Sequence, residues 1–160
     1  MKNVNVLFVC MGNICRSPTA QGVFEKLLSE HDLTTQVHVD SAGTHAYHVG
    51  EPPDDRATHA AQQRGVDLRK QKARRVRLSD FECFDYVLAM DESNYAALAE
   101  ICEPEHRSKL HLFMDFAPGS PMREVPDPYY GGVTGFERVL DLIEVAAGGL
   151  LAEIRRQHGI

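Results

Sequence analysis

The chain lacks tryptophan, and it has no apolar run long enough to cross a lipid bilayer. Its 160 residues include 17 basic and 23 acidic side chains, and the net charge of −6 argues against a general nucleic-acid binder. Apolar residues make up 43% and charged residues 25%, which is typical of an ordinary globular protein. Because nothing resembles an interdomain linker, we expect a single domain spanning residues 1–160.

The N-terminal apolar run, residues 4–11, does not fit a signal peptide. It is interrupted by Asn5 and leads into Gly12 and Arg16 without a small-residue cleavage site. Without an export signal, the four cysteines would meet reducing conditions, so a structural disulfide framework is not expected. The cytoplasm is the expected location.

Apolar segments with strand and helix periodicity alternate along the chain. We predict strands over residues 3–10, 37–43, 85–90 and 110–114, and helices over 18–30, 54–64, 92–102 and 136–154. Ser17 and Asp91 are predicted helix caps, and Pro18 is predicted at a first helical position. Gly148 and Gly149 weaken the last helix by about 1 kcal/mol each relative to alanine. The alternation predicts a parallel sheet with helices on both faces, which binds ligands at the carboxyl ends of its strands.

The first predicted strand ends at Cys10, which opens the segment CMGNICRSP. Arg16, the following helix N-terminus and the N–H groups of residues 11–16 all favour the nucleophilic thiolate over the thiol. Gly12 permits a tight backbone, and Ser17 is placed to donate a hydrogen bond to the sulfur.

The same loop suits a tetrahedral oxyanion, because Arg16 can bind two phosphate oxygens at once. The segment therefore predicts phosphoryl transfer to Cys10 followed by hydrolysis. The alternative is a buried, inert cysteine beside a solvated arginine. A nucleotide-binding phosphate loop is excluded because its glycine and lysine pattern is absent.

Asp127, between two prolines in VPDPYYGG, is a candidate general acid. A phenol with a pKa of about 10 leaves slowly unless it is protonated, so cleavage of an aryl phosphate benefits from a proton donor. On these residues alone, an ordinary Asp-Pro turn remains the favoured interpretation.

The segment VCMGNICRSPTAQ closely resembles the signature of the low-molecular-weight protein tyrosine phosphatases. The resemblance continues through DSAGT, FDYVLAMDESN and DPYYGG in the order and spacing of that family. It implies a flavodoxin-like α/β fold, a three-layer sandwich around a four-stranded parallel sheet in the order 2-1-3-4. It also implies a cysteinyl-phosphate mechanism without metal or organic cofactor, with Cys10 as nucleophile and Asp127 as general acid and base.

The resemblance assigns roles to the residues around Cys10. Arg16 is a catalytic residue, and Cys15 forms a reversible disulfide that protects Cys10 from irreversible oxidation. The implied phosphate-binding residues are Met11, Gly12, Asn13, Ile14, Cys15, Arg16 and Ser17. The implied wall beside the substrate ring consists of Tyr47, Tyr129 and Tyr130.

One position departs from the family pattern. Many relatives carry a histidine near position 71 that supports the phosphate loop through the serine, whereas this chain has Gln71. A glutamine retains the ability to hydrogen-bond Ser17, but it cannot be cationic. We expect a changed rate with the same chemistry.

The implied partner is a phosphotyrosine-containing protein, and a tyrosine kinase is one candidate. Phosphate-like oxyanions are expected to inhibit the enzyme. A monomer or weak homodimer is expected, without nucleic acid or a membrane span.

Three alternative functions are open. An arsenate reductase needs further cysteines to relay a disulfide, and no partner cysteine follows Cys83 closely. Protein-arginine phosphatases of this family tend to have threonine where this chain has Ile14, and isoleucine suits an aryl group better. A catalytically inactive phosphopeptide-binding module would be expected to lose Cys10 or Asp127, and both are present.

Overall fold

A four-stranded parallel sheet lies at the centre of the protein, in the order β2-β1-β3-β4. The strands are β1 (Val4–Cys10), β2 (Val37–Gly43), β3 (Tyr86–Ala89) and β4 (Leu110–Leu112). The α-helices are α1 (Arg16–Glu30), α2 (Asp55–Gln63), α3 (Asp80–Cys83), α4 (Glu92–Ile101) and α5 (Val133–His158). This computed structural model describes residues 3–129 and 133–160, without the side chains of residues 133 and 134.

The helices cover both faces of the sheet because side chains alternate along β1. Val6 and Phe8 point to one face and pack with buried residues of α1, α2 and α5. Leu7 and Val9 point to the other face and pack with Phe81 of α3 and with residues of α4. The predicted α/β class, parallel sheet, strand order and helices on both faces are confirmed.

The predicted start of α1 is wrong. The helix begins at Arg16, so Cys15 occupies the cap position and Pro18 is the third helical residue. The third N–H of a helix has no partner within the helix, which explains why a proline fits there as well. Ser17 does not cap the helix, because its hydroxyl lies beside the Cys10 sulfur instead.

The predicted fourth strand is two residues too long. After Leu112 the chain turns into a short 3-10 helix, Phe113–Phe116. Phe113 belongs to this 3-10 helix rather than to the strand, and its ring packs edge-on against Phe8 with 5.0 Å between the ring centroids. An apolar run does not distinguish a strand from such a turn.

Gly149 of α5 is required by close packing against the 3-10 turn. A Cβ atom at Gly149 would lie 1.8 Å from the carbonyl oxygen of Phe116, whereas a Cβ at Gly148 would meet nothing within 4 Å. We expect Gly149→Ala to lower the free energy of unfolding by about 1–3 kcal/mol, as overpacked cores do. Gly148→Ala is the matched control and is expected to raise it by about 0.5–1 kcal/mol. Urea denaturation measures both, and equal effects would contradict this packing argument.

The carboxyl edge of the sheet positions the candidate site. Cys10 ends β1, Gly43 lies opposite it at the end of β2, and Asp91 follows β3 as the cap of α4. The predicted cap role of Asp91 is confirmed, since its carboxylate accepts a hydrogen bond from the Asn94 N–H at 2.7 Å. Within the described residues, no helix is long and apolar enough to cross a bilayer.

Candidate active site

The sulfur of Cys10 lies at the floor of a cleft at the carboxyl edge. Only 3% of the residue is exposed, and its Sγ lies 3.0 Å from Ser17 Oγ. The cleft has a volume of about 300 Å³. Its described lining consists of Cys10, Met11, Gly12, Ile14, Cys15, Arg16, Tyr47, His48, Asp127 and Tyr129. The structure therefore brings together predicted residues from three distant parts of the sequence.

A hydrogen-bond network orients the Ser17 hydroxyl toward the sulfur. The side-chain amide of Asn13 donates to Ser17 Oγ at 2.8 Å and to Ser41 Oγ at 2.9 Å. Ser17 Oγ thus accepts from Asn13, and its own proton is left for either the sulfur at 3.0 Å or the Ala42 carbonyl at 3.4 Å. The shorter contact favours donation to the sulfur, which stabilises a thiolate.

Asn13 itself is held in an unusual backbone conformation. Its φ of 58° lies in the left-handed region, which asparagine tolerates better than most residues. The Arg74 N–H donates to its side-chain oxygen at 3.0 Å, while the Arg74 guanidinium bonds to both Asp40 and Asp80. Ser41 and Arg74 were not identified from the sequence, because neither belongs to the cysteine segment.

Gln71 makes no direct hydrogen bond to Ser17, although a glutamine is able to form one. Its side-chain oxygen accepts from Ser41 Oγ at 3.4 Å, and its side-chain nitrogen donates to the Pro18 carbonyl at 2.9 Å. Gln71 is therefore linked to the Ser17 hydroxyl through the side chains of Ser41 and Asn13, and it also holds the backbone of the adjacent Pro18. Its uncharged amide therefore stabilises the phosphate loop through Ser41 and Pro18, without contacting the Ser17 hydroxyl.

Arg16 is a buried cation held rigidly at the side of the cleft. It is 2% exposed, and its Nη1 donates to Asp91 Oδ2 at 2.6 Å and to the Val125 carbonyl at 3.0 Å. Burial disfavours the positive charge of Arg16 and by itself would lower its pKa. The negative charges of Cys10, Asp91 and Asp127 have the larger effect, so the pKa of Arg16 is raised. The sequence predicted Asp91 as a helix cap and missed its contact with Arg16.

Asp127 lines the cleft next to Arg16. Its Oδ2 is 3.7 Å from Arg16 Nη2, and its Oδ1 accepts a hydrogen bond from the Tyr129 N–H at 3.0 Å. The side chain is 35% exposed, so it reaches both the cleft and solvent. This carboxyl group is therefore placed to exchange a proton with a ligand above Cys10.

Two of the three predicted wall tyrosines line the cleft. Tyr47 is 69% exposed and stacks on His45 with ring centroids 5.1 Å apart. The ring of Tyr129 lies 5.2 Å from the Arg56 guanidinium, which fixes it from one side. Tyr130 lies outside the described residues.

The loop that carries Tyr47 is anchored to the phosphate loop. The N–H groups of Thr44 and His45 donate to the carbonyls of Cys10 and Met11, at 2.9 and 3.0 Å. Beside Tyr47, His48 also lines the cleft, and its Nδ1 lies 2.8 Å from Glu51 Oε2. His48 was not predicted as a cleft residue.

Cys15 lines the cleft as a free, buried thiol. Burial, reinforced by the negative charges of Asp54 and Cys10, raises the pKa of Cys15 well above its usual range. Cys15 therefore stays protonated at neutral pH and does not compete with Cys10 as a thiolate.

These groups together suit transfer of a phosphoryl group to sulfur. The cleft places a buried thiol, a fixed guanidinium and a partly exposed carboxyl around one space, between aromatic walls. A guanidinium and a carboxyl in such positions favour an anionic ligand and proton exchange, respectively.

Comparisons with known proteins give one consistent family. Residues 5–159 match a family model described as low molecular weight phosphotyrosine protein phosphatase. A low molecular weight protein-tyrosine-phosphatase of Streptomyces coelicolor is 40% identical over 156 residues, which cover 95% of this chain and 94% of that protein.

Solved structures agree with this match. The protein tyrosine phosphatase of Entamoeba histolytica, crystallised with Hepes in its active site, has a TM-score of 0.92 at 42% identity and covers 98% of this chain and 99% of that one. The Bacillus subtilis protein YfkJ, named a low molecular weight protein-tyrosine-phosphatase, has a TM-score of 0.93 at 36% identity and covers 98% of both chains.

Proposed function

The chain belongs to the low molecular weight phosphotyrosine protein phosphatase family, and from this premise we propose a mechanism for its own residues. Cys10 is the nucleophile, Arg16 and the N–H groups of residues 11–17 bind the phosphate, and Asp127 is the general acid and base. The observation that carries this assignment is the convergence of Cys10, Arg16 and Asp127 on one cleft.

In the first step, the Cys10 thiolate attacks the phosphorus of phosphotyrosine and an S–P bond forms. The P–O bond to the phenol breaks, and Asp127 donates its proton to the departing oxygen. Arg16 and the loop amides stabilise the charge on the phosphoryl oxygens, and this stabilisation costs no reorganisation because Asp91 already holds the guanidinium.

In the second step, water hydrolyses the cysteinyl phosphate. The Asp127 carboxylate accepts a proton from the water, whose oxygen bonds to phosphorus as the S–P bond breaks. The Ser17 hydroxyl, 3.0 Å from the sulfur, stabilises Cys10 as it leaves as a thiolate. Inorganic phosphate is the product, and similar oxyanions are expected to inhibit by occupying the same loop.

The shape of the cleft favours an aryl phosphate. The sulfur lies at the floor, whereas Tyr47 and Tyr129 are exposed at the rim, where their rings offer aromatic surface to a phenyl group. Ile14 adds an apolar side chain to the lining, which suits a phenyl ring better than a phosphorylated guanidinium. Arginine dephosphorylation is thus not favoured. Arsenate reduction is not favoured either, because no partner cysteine for a disulfide relay follows Cys83 closely.

The proposed partner is a phosphotyrosine protein in the cytoplasm, and a tyrosine kinase is one candidate. Hydrolysis of a phosphotyrosine peptide with a chelator present tests the proposal. We expect Cys10→Ser to lose all measurable activity, while Cys83→Ser, the matched control at an exposed cysteine, retains it. A wild-type protein that hydrolyses phosphoarginine or reduces arsenate but leaves phosphotyrosine intact would contradict it.

We further propose that Cys15 protects Cys10 from irreversible oxidation. Peroxide oxidises the Cys10 thiolate to a sulfenic acid, which condenses with the Cys15 thiol to form a disulfide and release water. Both cysteines line the same cleft. After peroxide treatment, we expect a thiol reductant to restore most activity to the wild type and at least several-fold less to Cys15→Ser. Equal recovery in both proteins would refute this role.

A further inference from the structure

The segment of residues 69–77 contains six of the seventeen basic residues of the chain. Two of the six are neutralised by neighbours, since Arg69 pairs with Asp67 and Arg74 pairs with Asp40 and Asp80. The remaining four form no ion pair within the part of the chain that the structure describes; they are Lys70, Lys72, Arg75 and Arg77. Lys70 and Lys72 line a groove beside α1, away from the cleft.

Arg75 lies at the edge of the sheet next to the active site. It forms a parallel bridge with Gly43, fixed by N–H···O bonds from Gly43 to Arg74 at 2.8 Å and from Val76 to Gly43 at 2.9 Å. Gly43 in turn pairs in register with Cys10. Arg75 is therefore two strand spacings from the nucleophile, or about 10 Å between Cα atoms.

The side chain of Arg75 projects on the same face as the phosphate loop. Bridge partners in a parallel pair point to the same face, and a Cβ atom on Gly43 would lie 2.8 Å from the Met11 carbonyl oxygen. Val76 points the opposite way and is buried with Val9 and Ala42. Arg75 is exposed, so its guanidinium reaches solvent on this face of the sheet.

Arg77 extends this basic edge beyond the strands. Arg77 follows two residues after the bridge, where its N–H donates to Asp80 Oδ2 at 2.7 Å and the chain turns into α3. Arg77 is exposed as well. We call Arg75 and Arg77 the basic edge.

We propose that the basic edge binds acidic side chains that flank the phosphotyrosine of a protein substrate. This inference rests on the proposed function and names a class of substrate for it. An extended peptide advances about 3.3 Å per residue, so an acidic residue two to four positions from the phosphotyrosine lies about 7–13 Å from it. This range is comparable to the separation of about 10 Å between the Cα atoms of Cys10 and Arg75.

Carboxylates on the adjoining segments bond to other side chains within the described residues, not to the guanidinium groups of Arg75 and Arg77. Glu51 bonds to His48, and Asp40 and Asp80 bond to Arg74. The guanidinium groups of Arg75 and Arg77 are thus available to a ligand. The exposed Arg56, which lies beside Tyr129 at the cleft, is already paired with Asp54. Each exposed ion pair is expected to change kcat/KM by about two- to five-fold, because solvent weakens such pairs.

The test compares phosphotyrosine peptides that carry glutamate or glutamine on either side of the phosphotyrosine. We expect the wild type to favour the glutamate peptide by about three- to ten-fold in kcat/KM on at least one side. The double variant Arg75→Gln/Arg77→Gln is expected to lose this preference, and salt at about 0.5 M is expected to weaken it in the wild type. Hydrolysis of a small aryl phosphate, which does not reach the basic edge, is expected to stay unchanged.

The double variant Arg155→Gln/Arg156→Gln is the matched control, because it also removes two positive charges. Arg155 is exposed near the end of α5, where His158 contacts Tyr86 at the opposite edge of the sheet. The proposal is overturned if the wild type shows no preference or if the preference survives in Arg75→Gln/Arg77→Gln. It is also overturned if the preference falls equally in Arg155→Gln/Arg156→Gln.

Binding of the same peptides to Cys10→Ser, measured by fluorescence anisotropy, separates this proposal from the proposed function. If the wild type hydrolyses no aryl phosphate, the mechanism fails. In that case, the proposal for the basic edge is supported if the glutamate peptide binds more tightly than the glutamine peptide and if this difference is lost without Arg75 and Arg77. Equal binding of the two peptides overturns it.

Discussion

Replacing Arg16 by lysine is expected to lower kcat for an aryl phosphate by about 10²–10³-fold, as loss of transition-state hydrogen bonds does in other enzymes. The guanidinium has five N–H donors. Its Nη1 is engaged by Asp91 and the Val125 carbonyl, so Nη2 and Nε remain for two phosphoryl oxygens. A lysine ammonium cannot keep the contact with Asp91 and form a bidentate phosphate contact at the same time.

Kinetic and stability measurements together test this expectation. We expect the loss mainly in kcat, because the bidentate contact strengthens as charge develops on the phosphoryl oxygens. Thermal unfolding shows whether the variant remains folded, since Arg16 is buried. Arg155→Lys serves as the control for an exposed arginine and is expected to have wild-type kinetics. A kcat for Arg16→Lys within ten-fold of the wild type would contradict the assigned role.

Replacing Asp127 by asparagine is expected to lower kcat by about 10²–10⁴-fold for a phenol that leaves poorly. The loss is expected to be much smaller for a phenol with an electron-withdrawing substituent, which departs as a phenolate without a proton. Asparagine keeps the shape of the side chain and its contact with the Tyr129 N–H, so the substitution removes mainly the titratable proton. The measurement is a series of aryl phosphates with leaving groups of different acidity.

Asp55→Asn is the matched control for Asp127→Asn. Asp55 is an exposed carboxylate in the first turn of α2, outside the described lining of the cleft. We expect its variant to show the same leaving-group dependence as the wild type. A uniform loss for all leaving groups in Asp127→Asn would indicate a role other than proton donation.

Local patterns in the sequence account for the fold and for much of the site. Alternating strand and helix periodicities predict the parallel sheet, and the position of Cys10 at a strand end follows from the apolar run before it. The capping preference of Asp91 is also local and is confirmed. By contrast, the cap expected at Ser17 is wrong, because its hydroxyl bonds within the site instead.

The residues that hold Arg16 and Asn13 in place could not be predicted from the sequence, because they lie far from both in the chain. Arg16 is held by Asp91, 75 residues away, and by the Val125 carbonyl, 109 residues away. The support of Asn13 by Arg74 spans 61 residues and uses a backbone N–H, which any residue except proline provides. Such contacts depend on the folded chain, so they leave no spacing signal in the sequence.

Detection of the phosphorylated enzyme tests the mechanism most directly. Asp127→Asn is mixed with an aryl phosphate that has a good leaving group, so that phosphorylation is fast and hydrolysis of the intermediate, which needs the Asp127 carboxylate, is slow. After rapid quenching, mass spectrometry of the digested protein locates any phosphoryl group. We predict one phosphoryl group on Cys10, and none in a variant that also carries Cys10→Ser. A phosphoryl group on another residue, or turnover by Cys10→Ser at the wild-type rate, would contradict the mechanism.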